Sequence, residues 1–242
     1  MVEDLVPELR GALAGVLPSG WRDSAPWGFP AQSELALITG VFAAQIPPAA
    51  VGEIADNVMR RRPGHMLNDL AELVELEPAG VQGIIGERWG DTTVLGVPRR
   101  RSDVIHEAAR LLVGTGIRTA AEFQEAVHER EASVASLLLA VRGLGPGTWE
   151  SIAFMSHASL RPGADVAAYV RSLLGPAGEH LELAEVRELI RLTARKFAAE
   201  PRVLAFSLRQ HVDAQLRALG GTPGVDLEDA SADRRPADVR EP

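Results

Sequence analysis

The run Gly143-Leu144-Gly145-Pro146-Gly147, followed by Thr148, is the stretch with the clearest chemical use. It separates two segments of helical apolar spacing, so its glycines make a tight turn by adopting conformations closed to other residues. Backbone N–H groups of such a turn, and of the helix start behind it, face outward and hold a phosphate without side-chain charge. An ordinary helix–helix turn accounts for the same residues, and both readings stand. A dinucleotide fingerprint is excluded because that motif follows a strand. The six histidines (65, 106, 128, 157, 180 and 211) are dispersed and read as surface or satisfied core residues. His106-Glu107 begins like a zinc-protease motif, but Arg110 stands where the second histidine belongs, and no G-x-S-x-G elbow occurs.

Composition narrows the chemistry further. The chain has 242 residues and no cysteine, which excludes a disulfide scaffold, a thiolate zinc site, a catalytic cysteine and an iron–sulfur cluster. Lys196 is the only lysine among 25 basic residues, so any mechanism needing one has a single candidate. The net charge of −8 argues against a generic polyanion binder while leaving room for a local basic face. No basic start before an apolar run and no long apolar window appear, so a soluble cytoplasmic protein is expected. No cofactor and no metal site are expected. Residues 222–242 carry six acidic and three basic side chains with little apolar content, and are expected to form a disordered acidic tail.

The elements that must position the turn are helical. Apolar spacing predicts an all-α fold of about ten helices with short connections. Helices are expected over residues 2–17 (with Pro7 a blemish), from Ser33 as N-cap, and over 49–62, 66–76 and 78–88. Ser102 is expected to cap 103–113, and Thr119 with Glu122 fits a capping box for a helix through Arg130. Residues 132–142 and 148–157 flank the glycine turn, and 166–174, 183–198 and 201–219 follow.

The segment 138–149, Leu-Leu-Ala-Val-Arg-Gly-Leu-Gly-Pro-Gly-Thr-Trp, resembles the helix-hairpin-helix motif of the endonuclease III-like DNA glycosylase superfamily. Residues 35–45, ending in Ala44-Gln45, are similar to that superfamily's early helix and its gap-filling glutamine. Residues 163–174 resemble its approach to the catalytic aspartate and the helix behind it. The three matches run in the right order over about residues 33–175. The resemblance implies a two-lobed fold: a central lobe over 31–160 containing the hairpin (132–157), and a second lobe of 1–30 plus 161–221. It also implies binding of damaged or mismatched double-stranded DNA, base flipping and N-glycosidic hydrolysis in base excision repair. Gln45 would fill the gap, and Gly143, Leu144, Gly145, Gly147 and Thr148 would contact DNA.

Departures from the pattern shape the expected chemistry. Bifunctional members carry a lysine at the position of Gly147, so its absence implies monofunctional base removal without strand cleavage. The catalytic carboxylate has two registers. Asp165 lies 18 residues beyond Gly147 (165 − 147), inside the superfamily's window. Apolar Val170, Leu173 and Leu174 instead fit a register with Ala167 at the aspartate position, which would leave the protein without that group. Asp165 also suits a helix N-cap, and Glu150 is a further acidic candidate that an exposed helix turn explains equally well. Arg60-Arg61-Arg62 reads as a helix end meeting the dipole. Arg99-Arg100-Arg101 would contact phosphates if it shared a face with the hairpin. Trp149 and Tyr169 could stack on a flipped base or belong to the core. Two further readings stay open: a silent DNA binder, and an all-α interaction protein without DNA function.

Overall fold

The computed structural model describes residues 2–23, 27–94, 96–160 and 163–218. The expected acidic tail lies outside the described residues. The fold is all-α. Among the described residues the helices are α1 (Val6–Ala14), α2 (Ser33–Ala43), α3 (Pro48–Arg61), α4 (Leu70–Glu75), α5 (Glu77–Ile85), α6 (Glu87–Gly90), α7 (Arg101–Gly114), α8 (Ala120–Leu139), α9 (Pro146–Met155), α10 (Ala164–Leu173), α11 (Leu183–Lys196) and α12 (Pro201–Ala218). Their only β pairing is the isolated antiparallel bridge Thr93–Arg100. None of these helices is long and apolar enough to cross a membrane.

Local signals account for most boundaries. Thr119 accepts from the Glu122 N–H while the Glu122 carboxylate accepts from the Thr119 N–H, so the capping box is formed. Arg130 leaves helical geometry (φ −145°, ψ 47°), which puts the break between the two expected helices inside α8. Pro7 is no blemish: α1 starts at Val6 after a 3-10 turn, and the first helical turn tolerates proline. Gly86, at φ +97°, divides the expected helix 78–88 into α5 and α6.

Three expected caps are corrected. Ser33 is the first residue of α2, not its cap; its N–H donates to Asn68 Oδ1 at 3.2 Å and its hydroxyl to the Arg118 carbonyl at 2.9 Å. Ser102 lies inside α7, because the Arg101 N–H is already drawn to Thr92 O at 2.8 Å and the helix begins there. Gly163 occupies the N-cap of α10, which leaves Asp165 in the first turn.

The side chains form two main hydrophobic cores. The first gathers α2 to α9 around α2, whose residues 33–42 are all buried. A helix apolar on every face belongs at the centre of its core. α3 supplies a single stripe, Val51, Ile54, Ala55 and Val58, at helical spacing. The second core joins α1 to α10, α11 and α12 through Leu9, Leu13, Val170, Leu189 and Leu208. There α11 contributes Val186, Leu189, Ile190, Thr193 and Ala194, and the Trp21 ring meets Phe197 edge-on at 5.3 Å. Each fully buried aliphatic side chain contributes roughly 1.5–3 kcal/mol, so neither core needs further staples.

One network of buried charge lies in the first core. Arg62 bridges Glu34, which is fully buried, and Glu72, with His65 Nδ1 2.9 Å from Glu72. Pairing of this kind offsets the cost of taking the charges out of water. The Arg60–Arg62 run is therefore divided: Arg60 bonds Asn57 at the surface, Arg61 reaches the Gly83 carbonyl, and Arg62 turns inward.

Candidate functional site

The glycine turn is built as a compact hairpin between α8 and α9. Gly143 sits at φ +109°, and a Cβ there would lie 3.3 Å from Val104 and 3.4 Å from Val94. Both the conformation and the contact require glycine. Leu144 anchors the turn in the first core, and Thr148 is buried beside it, so neither side chain faces outward. Gly145 is different. Its backbone is ordinary extended chain (φ −105°, ψ 176°), and a Cβ there would meet nothing within 4 Å.

The Thr148 and Trp149 N–H groups both fold back onto Gly145 O at 3.0 Å. Among the described residues, the N–H groups of Gly145 and Gly147 donate to no backbone carbonyl outside the helix, and those at a helix start have no partner within it. The turn thus sets backbone N–H groups at a helix N-terminus, with open space on the Cβ side of Gly145.

The arginines nearest the turn are largely committed. Arg99 Nη1 donates to Arg142 O at 3.0 Å, which does place this run beside the hairpin. Its other nitrogen pairs with Glu107 at 2.6 Å, and Arg100 pairs with Asp91 at 3.0 Å. Arg101 is buried over the Phe42 ring, 4.8 Å from its centroid, and donates to Gln45 Oε1. Burial holds its pKa below the usual arginine value. Gln45 is therefore engaged at the end of α2, between Ala43 and Ile46, which line a cavity.

That cavity, of about 60 Å³, lies where the two cores meet. Trp27, Phe154 and Phe206 are its aromatic walls, with the Trp27 and Phe206 rings 4.5 Å apart and tilted by 32°. Glu150 from α9 and Arg209 and Asp213 from α12 supply its charged lining. Arg209 Nε donates to both Asp213 oxygens, at 3.0 and 3.2 Å. A Cβ built on Gly163 would stand 3.3 Å from Arg209 Nη1 and 3.5 Å from Glu150 Oε2, so both side chains reach the same point above that glycine.

At the far end of α9, His157 adopts φ +58° and its Nε2 lies 3.2 Å from the Trp27 carbonyl, a bond that needs the proton on that nitrogen. Burial, with the Arg202 guanidinium nearby, holds its pKa below the usual histidine value. Arg202 is itself buried and donates to the Phe154 and Ser159 carbonyls at 3.1 and 3.3 Å, tying α12 to the end of α9. Burial brings its pKa down to about 10.

The sequence-expected site residues therefore separate into groups. Gly143, Leu144, Gly145, Gly147 and Thr148 are together in the turn. Asp165 is exposed in the first turn of α10 and does not line the cavity, although its neighbours Gly163 and Val166 do. Ala167 is sealed in the second core. Trp149 is a core residue packed on Phe123, with ring centroids 6.3 Å apart, and so is not a stacking platform. Tyr169 pairs with His211, hydroxyl to Nε2, at 3.0 Å. The residues that sequence reasoning passed over are Trp27, Phe206, Arg209 and Asp213. They come from distant segments and no local spacing joins them. Among the described residues no group of three or more His, Asp or Glu side chains is placed to hold a metal ion.

An all-helical protein with a donor-bearing hairpin at one end of α9 and a charged, aromatic-walled cavity along its side is the class these observations define. The chain belongs to the family described as Domain of unknown function (DUF8548), whose pattern matches residues 23–212. That span includes the hairpin and the charged lining of the cavity up to Arg209, and stops one residue before Asp213. No curated protein and no solved structure matches the chain.

Proposed function

We propose that this protein binds duplex DNA through a helix-hairpin-helix formed by α8, residues 140–145 and α9, with a two-lobed, glycosylase-like architecture around the cavity. The observation that carries the reading is Gly145. Neither its φ nor its surroundings require glycine, and it stands at the start of α9 with open space on its Cβ side. A glycine at such a place leaves room for another backbone to approach closely. A phosphodiester fits that place, since backbone N–H groups and the helix dipole favour an anion. Such a grip needs little side-chain charge, which suits a chain with net charge −8.

The chemistry that goes with this reading is monofunctional: hydrolysis of an N-glycosidic bond in base excision repair, with no lysine at Gly147 for strand cleavage. Duplex binding is tested by fluorescence anisotropy on a labelled duplex across a salt series. Wild type should lose affinity linearly in log–log form as salt rises. Gly145→Val, whose Cβ has space and whose backbone any residue adopts, should keep the fold and lose at least tenfold in affinity. Equal binding by the two proteins removes the hairpin from the interface. A second reading, an interaction protein without DNA function, is favoured by the pairing of Arg99 and Arg100 with Glu107 and Asp91. It predicts no salt-dependent duplex binding at all.

A further inference from the structure

Two carboxylates line the cavity between the cores, Glu150 and Asp213, and neither is Asp165. Asp213 is held by Arg209 through both of its oxygens. Glu150 stands on α9 three residues after Gly147, about 4.5 Å further along the helix axis. One short helix therefore carries the phosphate donors at its start and a carboxylate facing the cavity. The opposite side of that helix is fixed, because a Cβ on Gly40 of α2 would lie 2.6 Å from the Ile152 Cα. Whatever phosphate the hairpin holds is thus set at a constant distance from the Glu150 backbone, and the side chain spans the rest. On the cavity side, Gly163 leaves open the point that Glu150 Oε2 and Arg209 Nη1 both approach.

We infer that Glu150 is the catalytic carboxylate of this protein; the inference rests on the duplex-DNA reading above. In the step it serves, water adds to C1′ of the extruded nucleotide while the C1′–N bond breaks. The base departs with the bonding electrons. Glu150 stabilises the positive charge that develops on the sugar and takes the proton that water gives up, which ends on the departed base. A space of about 60 Å³ is smaller than a base needs, since a benzene-sized ligand occupies a cavity of about 150 Å³. Entry therefore requires the lining of the cavity to open.

The test uses the full chain with duplexes carrying, in turn, an alkylated, a deaminated, an oxidised or a mismatched base. Abasic sites formed under single-turnover conditions are read by alkaline strand scission, with duplex affinity and urea midpoint measured on the same preparations. On the duplex that wild type processes, Glu150→Gln should slow base release at least a hundredfold while affinity stays within twofold and the urea transition shows the variant folded under the assay conditions. Glu150→Asp should recover part of the rate, and Asp165→Asn should stay within twofold of wild type. The inference is overturned if Glu150→Gln matches wild type, if Asp165→Asn abolishes release, or if wild type binds duplex yet releases no base from any of them. Binding that Gly145→Val weakens, together with an unaffected Glu150→Gln, removes Glu150 and leaves the DNA reading standing. Absence of duplex binding by wild type removes both.

Discussion

Two glycines face opposite sides of α9 and have opposite surroundings. Gly40 lets α2 cross α9 backbone to backbone; a Cβ there would stand 2.6 Å from the Ile152 Cα and 2.7 Å from its Cγ1. Gly163 faces the cavity side, where the nearest atoms are the ends of the Arg209 and Glu150 side chains at 3.3 and 3.5 Å. On the α2 side two of the three nearest atoms are main chain of α9 at the buried Ile152, which cannot give. On the cavity side they are long side chains that can swing. One face of α9 fixes position, and the other leaves room for something to enter.

The comparison is broken or sharpened by graded substitutions. Gly40→Ala has the largest expected effect, a loss of about 1–3 kcal/mol from overpacking, read from urea denaturation. A fully stable variant would mean that α2 and α9 do not cross so closely. Phe206→Ala, on the cavity side, should cost about 1 kcal/mol, the aromatic contact with Trp27, and should change the tryptophan emission. Next comes pH. His157 has its pKa lowered in the fold, so below about 6.5 the unfolded chain takes up that proton more readily than the folded one. Its contribution is complete above that value and declines as the pH falls through it. The melting temperature of wild type should drop between about pH 7.5 and 5.5, and His157→Gln should flatten part of that slope. Gly163→Ala closes the series: a change within about 0.5 kcal/mol, although its methyl fills the space between Glu150 and Arg209. A large destabilisation there would show the two sides of α9 to be alike.

Legibility followed sequence distance. The capping box of Thr119 and Glu122, the break at Arg130 and the turn around Gly143 are each specified by residues within four positions of one another, and each was readable. Ser33 and Ser102 were misread as caps because the groups that displaced them, Asn68 and Thr92, belong to other segments. Arg62 looked like the end of a solvated run, since nothing local reveals that Glu34 waits 28 residues upstream. The cavity is the extreme case. Trp27 and Phe206 touch across most of the chain, and a single aromatic residue carries no spacing pattern that names its partner. The register of α10 was readable as an alternative but not as an outcome: Ala167 faces the second core, Asp165 is exposed, and the carboxylates lining the cavity come from α9 and α12.

The two cores also differ in when they can exist. The first is drawn from one continuous stretch, between Leu35 and Ala153, so all of its partners are synthesised before α10 and can meet before α12 is available. The second needs Leu9 and Leu13 from the start of the chain and Leu204, Leu208 and Val212 near the end of α12. Chains fold in the order in which they are synthesised, and contacts between distant segments close last. During synthesis α1 must therefore wait, its apolar stripe exposed, while an already folded neighbour stands beside it. The cavity between the cores is completed only when the last helix docks.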